Sequence, residues 1–174
     1  MINHLGTIKI ETDRLLLKLD SISEEDILWK YMYSDKEAVK ECKWKDFGDK
    51  DNFIFMHQKS LSNVKNSDYW WTIWLKEESI PIGGITVHHQ DDINESCEIG
   101  YSINPKYQNN GYATEALLSV ISFLRKEVGY SNIICNCQLS NISSQRVMEK
   151  AHLDYKGIIK DQNGNDVFSY STRR

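Results

Sequence analysis

The sequence predicts an α+β (mixed α/β) fold: one domain over residues 1–174, with a central, twisted, mixed but mostly antiparallel sheet of about seven strands flanked by about four helices. Three observations carry this. Between Tyr69 and Ile103, three runs rich in aromatic and β-branched residues are joined by short polar turns, as in an antiparallel meander. Between Gly111 and Ala151 the pattern becomes helix, short apolar strand, helix, which with the strand before it makes a β-α-β unit. Two last strand-like runs around a polar turn then close the chain as a hairpin.

The elements follow in order. Leu15-Leu16-Leu17-Lys18-Leu19 reads as a strand, and Ser23 as the N-cap of a helix that has acids in its first turn and runs to about Tyr33. A second helix starts after Asp49, because Phe53, Ile54, His57 and Leu61 recur at three- and four-residue intervals. The meander is Tyr69 to Leu75, Ile80 to His88 and Cys97 to Ile103, with Gly100 marking a bulge or a close approach of another backbone. Ala113, Leu117, Val120, Ile121, Leu124 and Val128 stripe one face of a helix over 111–128, with Gly129 placed as its C-cap. Ile133 to Leu139 is a buried strand, Asn141 to Ala151 a helix, and Tyr155 to Ile159 with Val167 to Tyr170 the hairpin.

Composition narrows the function classes. With 40% hydrophobic and 11% aromatic residues in 174, the chain can fill one sizeable core and is not a disordered segment. Lys plus Arg is 21 against 25 Asp plus Glu, a net charge of −4, which argues against nucleic acid as a partner and suits a cationic one weakly. No basic segment followed by an apolar run opens the chain and no apolar stretch nears the ~18 residues of a membrane span, so a soluble, cytoplasmic protein with no membrane partner is expected. Cys42, Cys97, Cys135 and Cys137 form no C-x-x-C pair and read as free thiols, with no metal site. His88 and His89 are adjacent, so on a regular strand they face opposite ways and make no metal pair.

The chemistry concentrates at Tyr107 to Ala116, between a strand and a long helix. Free backbone N–H groups at a helix start, with the macrodipole behind them, cradle an anion, and Gly111 and Ala113 leave room for close approach. No P-loop lysine and no G-x-G-x-x-G accompanies it.

Here Gln108-x-x-Gly111-x-Ala113 resembles the [Q/R]-x-x-G-x-[G/A] motif of the GCN5-related N-acetyltransferase (GNAT) family. Glu98-Ile99-Gly100-Tyr101, Asn141-x-x-Ser144-x-x-Val147-Met148-Glu149-Lys150 and the opening Thr12-Asp13-Arg14-Leu15-Leu16-Leu17 are similar to the flanking motifs of the branch with the ribosomal-protein alanine acetyltransferases. The resemblance implies acetyl-CoA as cosubstrate, its pyrophosphate on the amides of Gln108, Asn109, Asn110, Gly111, Tyr112 and Ala113 and its pantetheine arm near Asn141. Tyr101 and Ile103 are assigned to the same site, where a backbone N–H freed by the bulge would receive the oxyanion. Two positions depart from the family: Met148 stands where many members carry a proton-donating tyrosine, and His152 where a glycine ends the helix. His152 reads as a solvent-facing cap residue.

The implied reaction is acetyl transfer to a primary amine by direct attack through a tetrahedral intermediate. An alkylamine with a pKa of about 10.4 must lose a proton first, and Glu98, sharing a strand face with Gly100 and Ser102, is the candidate base. Ser144 is the hydroxyl placed to protonate the thiolate, or a first-turn residue satisfying the helix. The acceptor would enter beside the first two helices and the late hairpin, near Trp29, Trp44, Trp70, Trp71 and Trp74, whose faces suit a cation although each alone is more often core. A peptide N-terminus, a polyamine or another small amine, an amine-bearing drug among them, stays open as acceptor, and self-association as a homodimer is compatible with the sequence. Two rival readings are a CoA-binding module impaired in catalysis and an unrelated α+β binding domain.

Overall fold

A computed structural model describes residues 1–172 of the chain. Eight strands form one sheet: β1 (Ile10–Glu11), β2 (Leu15–Lys18), β3 (Trp70–Leu75), β4 (Ile80–Asp91), β5 (Ser96–Ile103), β6 (Asn132–Gln138), β7 (Asp154–Lys160) and β8 (Asp166–Ser171). Their order across the sheet is β1-β2-β3-β4-β5-β6-β8-β7. Every neighbour pair is antiparallel except β5 with β6, the two strands joined by the helical crossover. Five helices accompany it: α1 (Glu25–Leu28), α2 (Lys36–Glu41), α3 (Lys50–Leu61), α4 (Tyr112–Phe123) and α5 (Ile142–Lys150). A 3₁₀ turn leads into α1, and π-helical turns extend α1 to Tyr33 and α4 to Val128.

The two elements beyond the sequence expectation, β1 and α2, are two and six residues long. Segments that short show little periodicity, and α2 is set by Asp35, whose carboxylate accepts from the amides of Glu37 and Ala38. The N-cap of the first helical segment is Ser21, not Ser23: Ser21 and Glu24 form a reciprocal capping box. Asp49 caps α3, Gly129 ends the α4 segment at φ 105°, and His152, exposed at φ 61°, follows α5 in the left-handed conformation expected of it.

Alternation along the strands splits the apolar residues between two layers. Leu15, Leu17, Trp71, Ile73, Ile85, Ile99 and Ile103 point to one face and pack under Ala116, Leu117, Val120 and Leu124 of the α4 segment. Each such Leu or Ile, taken fully out of water, contributes roughly 1.5–3 kcal/mol. On the opposite face Trp74 packs with Leu28, Met32 and Phe53 under α1 and α3. That second layer also holds polar atoms. Asp20 accepts from Thr72 Oγ1 at 2.6 Å, while Asp20 Oδ1, His57 Nε2 and Trp74 Nε1 are buried without a hydrogen-bond partner.

Two irregularities shape the site. Strands β5 and β6 pair only over Ser96↔Asn132, Cys97↔Ile133 and Glu98↔Ile134, then diverge. The expected bulge at Gly100 is absent: Gly100 stays in register opposite Thr86. No other backbone approaches it either: a Cβ there would meet side chains, His88 Nε2 at 2.9 Å first, and the exposed imidazole would have to swing aside. The bulge lies on the neighbouring strand instead, where register shifts between His88 and Asp91 of β4.

Candidate active site

Past Glu98 the two parallel strands open into a wedge. Asn104 N donates to Ile82 O at 2.8 Å, which fixes the phase of the β4–β5 ladder: even-numbered residues of β5 bond to β4. The N–H groups of Tyr101 and Ile103 therefore point into the wedge, where β6 no longer reaches them. A cleft of about 1110 Å³ fills this space and runs from Glu98 past Tyr101 and Ile103 to the start of α4, bordered by Asn136, Asn141 and Ser144.

The start of α4 is an open donor set. Gly111 occupies the N-cap at φ 81° and brings no capping side chain, and the first intrahelical bond is Glu115 N to Gly111 O at 3.1 Å. The amides of Tyr112, Ala113 and Thr114 are thus left for a ligand at the positive end of a 12-residue helix. The side chains of the loop hold its shape. Gln108 Nε2 donates to Ile103 O at 2.9 Å, and Asn110 Nδ2 donates to Gln108 O at 2.9 Å and Tyr107 O at 3.2 Å. Asn109 stands in the left-handed region at φ 63°.

Arg14 clamps this loop from the other end of the sequence. Its Nη1 donates to Asn110 O at 2.9 Å, its Nε to Glu115 Oε2 at 2.7 Å, and its guanidinium lies 4.6 Å from the Tyr112 ring centroid. Thr12 Oγ1 donates to Glu115 Oε1 at 2.6 Å. Burial opposes the charge of Glu115, but the bonds from Thr12 and Arg14 outweigh it and hold the carboxyl below the usual range.

The reacting end of the wedge gathers the other residues singled out in the sequence. Glu98 shares its sheet face with Gly100 and Ser102, and its Oε2 is 3.1 Å from His89 Nδ1. Tyr101 leans across to α5, its hydroxyl 2.8 Å from Ser144 Oγ and donating to Ser144 O at 3.2 Å. Burial pushes the Tyr101 phenol well up, so its O–H stays protonated. Asn141 caps α5 by accepting from Ser144 N at 3.0 Å. Met148 is 0% exposed and belongs to the α4-side core, so it neither donates a proton nor faces the cleft.

The tryptophans divide. Trp71 and Trp74 are core, whereas Trp44 Nε1 donates to Ser102 Oγ at 2.6 Å on the Glu98 face of β5. Among the described residues no cluster of three or more His, Cys, Asp and Glu side chains could hold a metal, and no helix is long and apolar enough to cross a membrane. The four cysteines are free, and burial raises each thiol.

Residues 14–154 match the family model described as an acetyltransferase (GNAT) domain. The chain belongs to the GNAT acetyltransferase family. It is 31% identical over 151 residues to the N-acetyltransferase YnaD of Bacillus subtilis, covering 87% of this chain and 85% of that one. An acetyltransferase (GNAT family) from Bacillus anthracis has a TM-score of 0.74 at 28% identity, covering 95% of this chain and 98% of that chain. The RimL ribosomal L7/L12 α-N-protein acetyltransferase in complex with coenzyme A shares the fold, with a TM-score of 0.74 at 17% identity over 95% and 97% of the two chains. The protein is an acetyl-CoA-dependent N-acetyltransferase, and its open helix start, unobstructed at Gly111, fits the pyrophosphate of that cosubstrate.

Three features of the acetyltransferase escape sequence reasoning. His89 does not alternate with His88 as a regular strand would have it, because the β4 bulge turns it onto Glu98. Asn136, on β6, lines the cleft with a buried Oδ1 that has no partner. The Arg14–Glu115 clamp joins residues 101 apart, and only the paired Thr12 and Arg14 of the opening motif hint at it.

Proposed function

We propose that this acetyltransferase moves the acetyl group of acetyl-CoA onto a primary amine by direct attack, with Glu98 as the base. The observation that carries the reading is the meeting, at the mouth of one wedge, of a carboxylate with the backbone donors of Tyr101 and Ile103. Bound acetyl-CoA supplies an activated acyl carbon and a leaving thiolate. The cradle amides and the Arg14-braced loop hold its phosphates, while Asn141 and the loop of Gln108 to Asn110 border the arm. Glu98 accepts the proton that the amine must lose to attack, whether the acceptor is a peptide α-amino group with a pKa of about 7.7–8.0 or an alkylamine with one near 10.4. The N–H of Tyr101 or Ile103 receives the oxyanion, a fixed donor already aimed into the cleft. The Tyr101–Ser144 hydroxyl pair donates a hydrogen bond to the departing thiolate, which takes its proton from solvent.

The related fold of an α-N-protein acetyltransferase favours a peptide N-terminus over a polyamine or a small drug-like amine. A panel tests this: acetyl-CoA with alanine- and serine-initiated hexapeptides, spermidine and an amine-bearing drug, following free thiol. At least one amine should raise thiol release tenfold over acetyl-CoA alone. Tight acetyl-CoA binding by calorimetry with no release from any amine would instead establish the impaired CoA-binding module.

A further inference from the structure

We propose that His89 is the positioning residue of the Glu98 base, held against it by the bulge in β4; this rests on the reading of Glu98 given above. The register places His89 and Gln90 of β4 opposite the single residue Cys97 of β5, the two-against-one count of a β-bulge. His89 has φ 45°. In a bulge of this kind the left-handed position is the one that glycine fills without strain, and a side chain there costs of order 1 kcal/mol. The chain places a histidine in it nonetheless, and the imidazole it carries is the group that meets Glu98 Oε2 at 3.1 Å.

The contact has a direction. An ionised carboxylate only accepts, so the imidazole presents Nδ1–H to Oε2. That bond fixes the carboxylate plane and leaves Oε1 free as the basic oxygen. His89 itself is more than half exposed at 58% of its side chain, against 26% for Glu98, so it braces the base from the solvent side without closing the cleft. The titratable groups around the pair are His88 on the same strand, its ring centroid 6.3 Å from that of His89, and Cys135 on β6. Burial pushes the His88 imidazole down and the Cys135 thiol up, so both are neutral near pH 7 and the Glu98–His89 contact is undisturbed by them.

Two variants separate positioning from folding. His89→Gly keeps the left-handed backbone without strain and removes the donor. His89→Asn tolerates the same conformation, and its amide N–H stands near where Nδ1–H stood. With the best amine of the panel, His89→Gly should lower kcat about tenfold with KM for acetyl-CoA within twofold, and His89→Asn should recover to within threefold of the parent. On a Glu98→Gln background, His89→Gly should add less than a twofold loss, since two residues acting as one unit are not additive. A wild-type kcat in His89→Gly, an Asn variant no better than the Gly variant, or a full tenfold loss on the Glu98→Gln background each overturns the positioning role. Those outcomes leave the parent enzyme active, whereas failure of the reading beneath them shows as a parent that releases no thiol with any amine.

Discussion

The phenol of Tyr101 and the hydroxyl of Ser144 lie 2.8 Å apart, one from the strand ahead of the cradle and the other from the first turn of α5. This pair is the proposed hydrogen-bond donor to the thiolate, since Met148 occupies the position where related enzymes carry a tyrosine. Tyr101→Phe and Ser144→Ala should each slow kcat by about tenfold, a modest effect because a thiolate with a pKa near 8.5 leaves with little help. The double variant should fall no more than about threefold below the slower single one, because removal of either partner breaks the same pair. Steady-state turnover at saturating acetyl-CoA and amine decides this, and independent, multiplying losses would mean that the two hydroxyls act separately.

Glu98→Gln should reduce kcat roughly 10²-fold and flatten the rise of kcat with pH, while acetyl-CoA affinity stays within twofold. The comparison to make is a full pH–rate profile of parent and variant. Parent-like turnover at every pH would transfer the base to a water chain.

Gly111→Glu should weaken acetyl-CoA binding at least tenfold. It places a carboxylate at the start of α4, the proposed seat of the phosphates, and forces a side chain into φ 81°. Gly111→Ala carries the strain without the charge and should lose less. Calorimetry gives the two affinities, and an unchanged far-ultraviolet dichroism spectrum shows that the fold survives.

Asp20→Asn should stabilise the protein at alkaline pH and not at acid pH. Burial pushes the Asp20 carboxyl up to about 6, against the bond from Thr72, which lowers it. An unfolded Asp titrates near 3.9, so the folded protein prefers the neutral acid. That preference is fully present below pH ~4 and is lost as pH rises through about 6, leaving a carboxylate that opposes folding at pH 8. A shift of about two units corresponds to at most ~3 kcal/mol, so the asparagine, which can still accept from Thr72, should gain about 1–3 kcal/mol at pH 8. At about 2–4 °C per kcal/mol for a chain of this size, thermal unfolding at pH 8 and pH 4 resolves the difference. Equal midpoints of parent and variant at pH 8 would show that water reaches the carboxylate.

Much of the fold is legible wherever one local signal dominates. The α3 helix is announced by Asp49 and its apolar spacing, α4 by its stripe between Gly111 and Gly129, and the β7–β8 hairpin by its polar turn. The cradle is legible for the same reason: a helix start with a glycine at its N-cap is a local property. The features that are not legible are those in which distant residues override the local pattern. A glycine inside a strand points to a bulge or a close backbone, yet Gly100 has only side chains beside it, the His88 ring nearest, and the extra residue sits on β4, where no glycine marks it. Met148 looks like a gap in the catalytic apparatus when read along the helix, and only the packing of α5 onto the core shows that its side chain does not face the cleft.

The wedge has a mechanical meaning as well. Only three residue pairs couple the β1–β5 half of the sheet to the β6–β8 half, although β5 alone is eight residues long. Beyond that short seam the two plates are bridged by α4 overhead, by the Tyr101–Ser144 contact and, in the proposed binding mode, by the cosubstrate lying between them as a strut. A strut that binds only the assembled plates raises their resistance to separation by RT ln(1 + [L]/Kd), about 2.7 kcal/mol at a hundredfold excess over Kd. In that binding mode acetyl-CoA should stiffen the sheet, and the amides of Tyr101 and Ile103 are where the effect should register first as slowed hydrogen exchange.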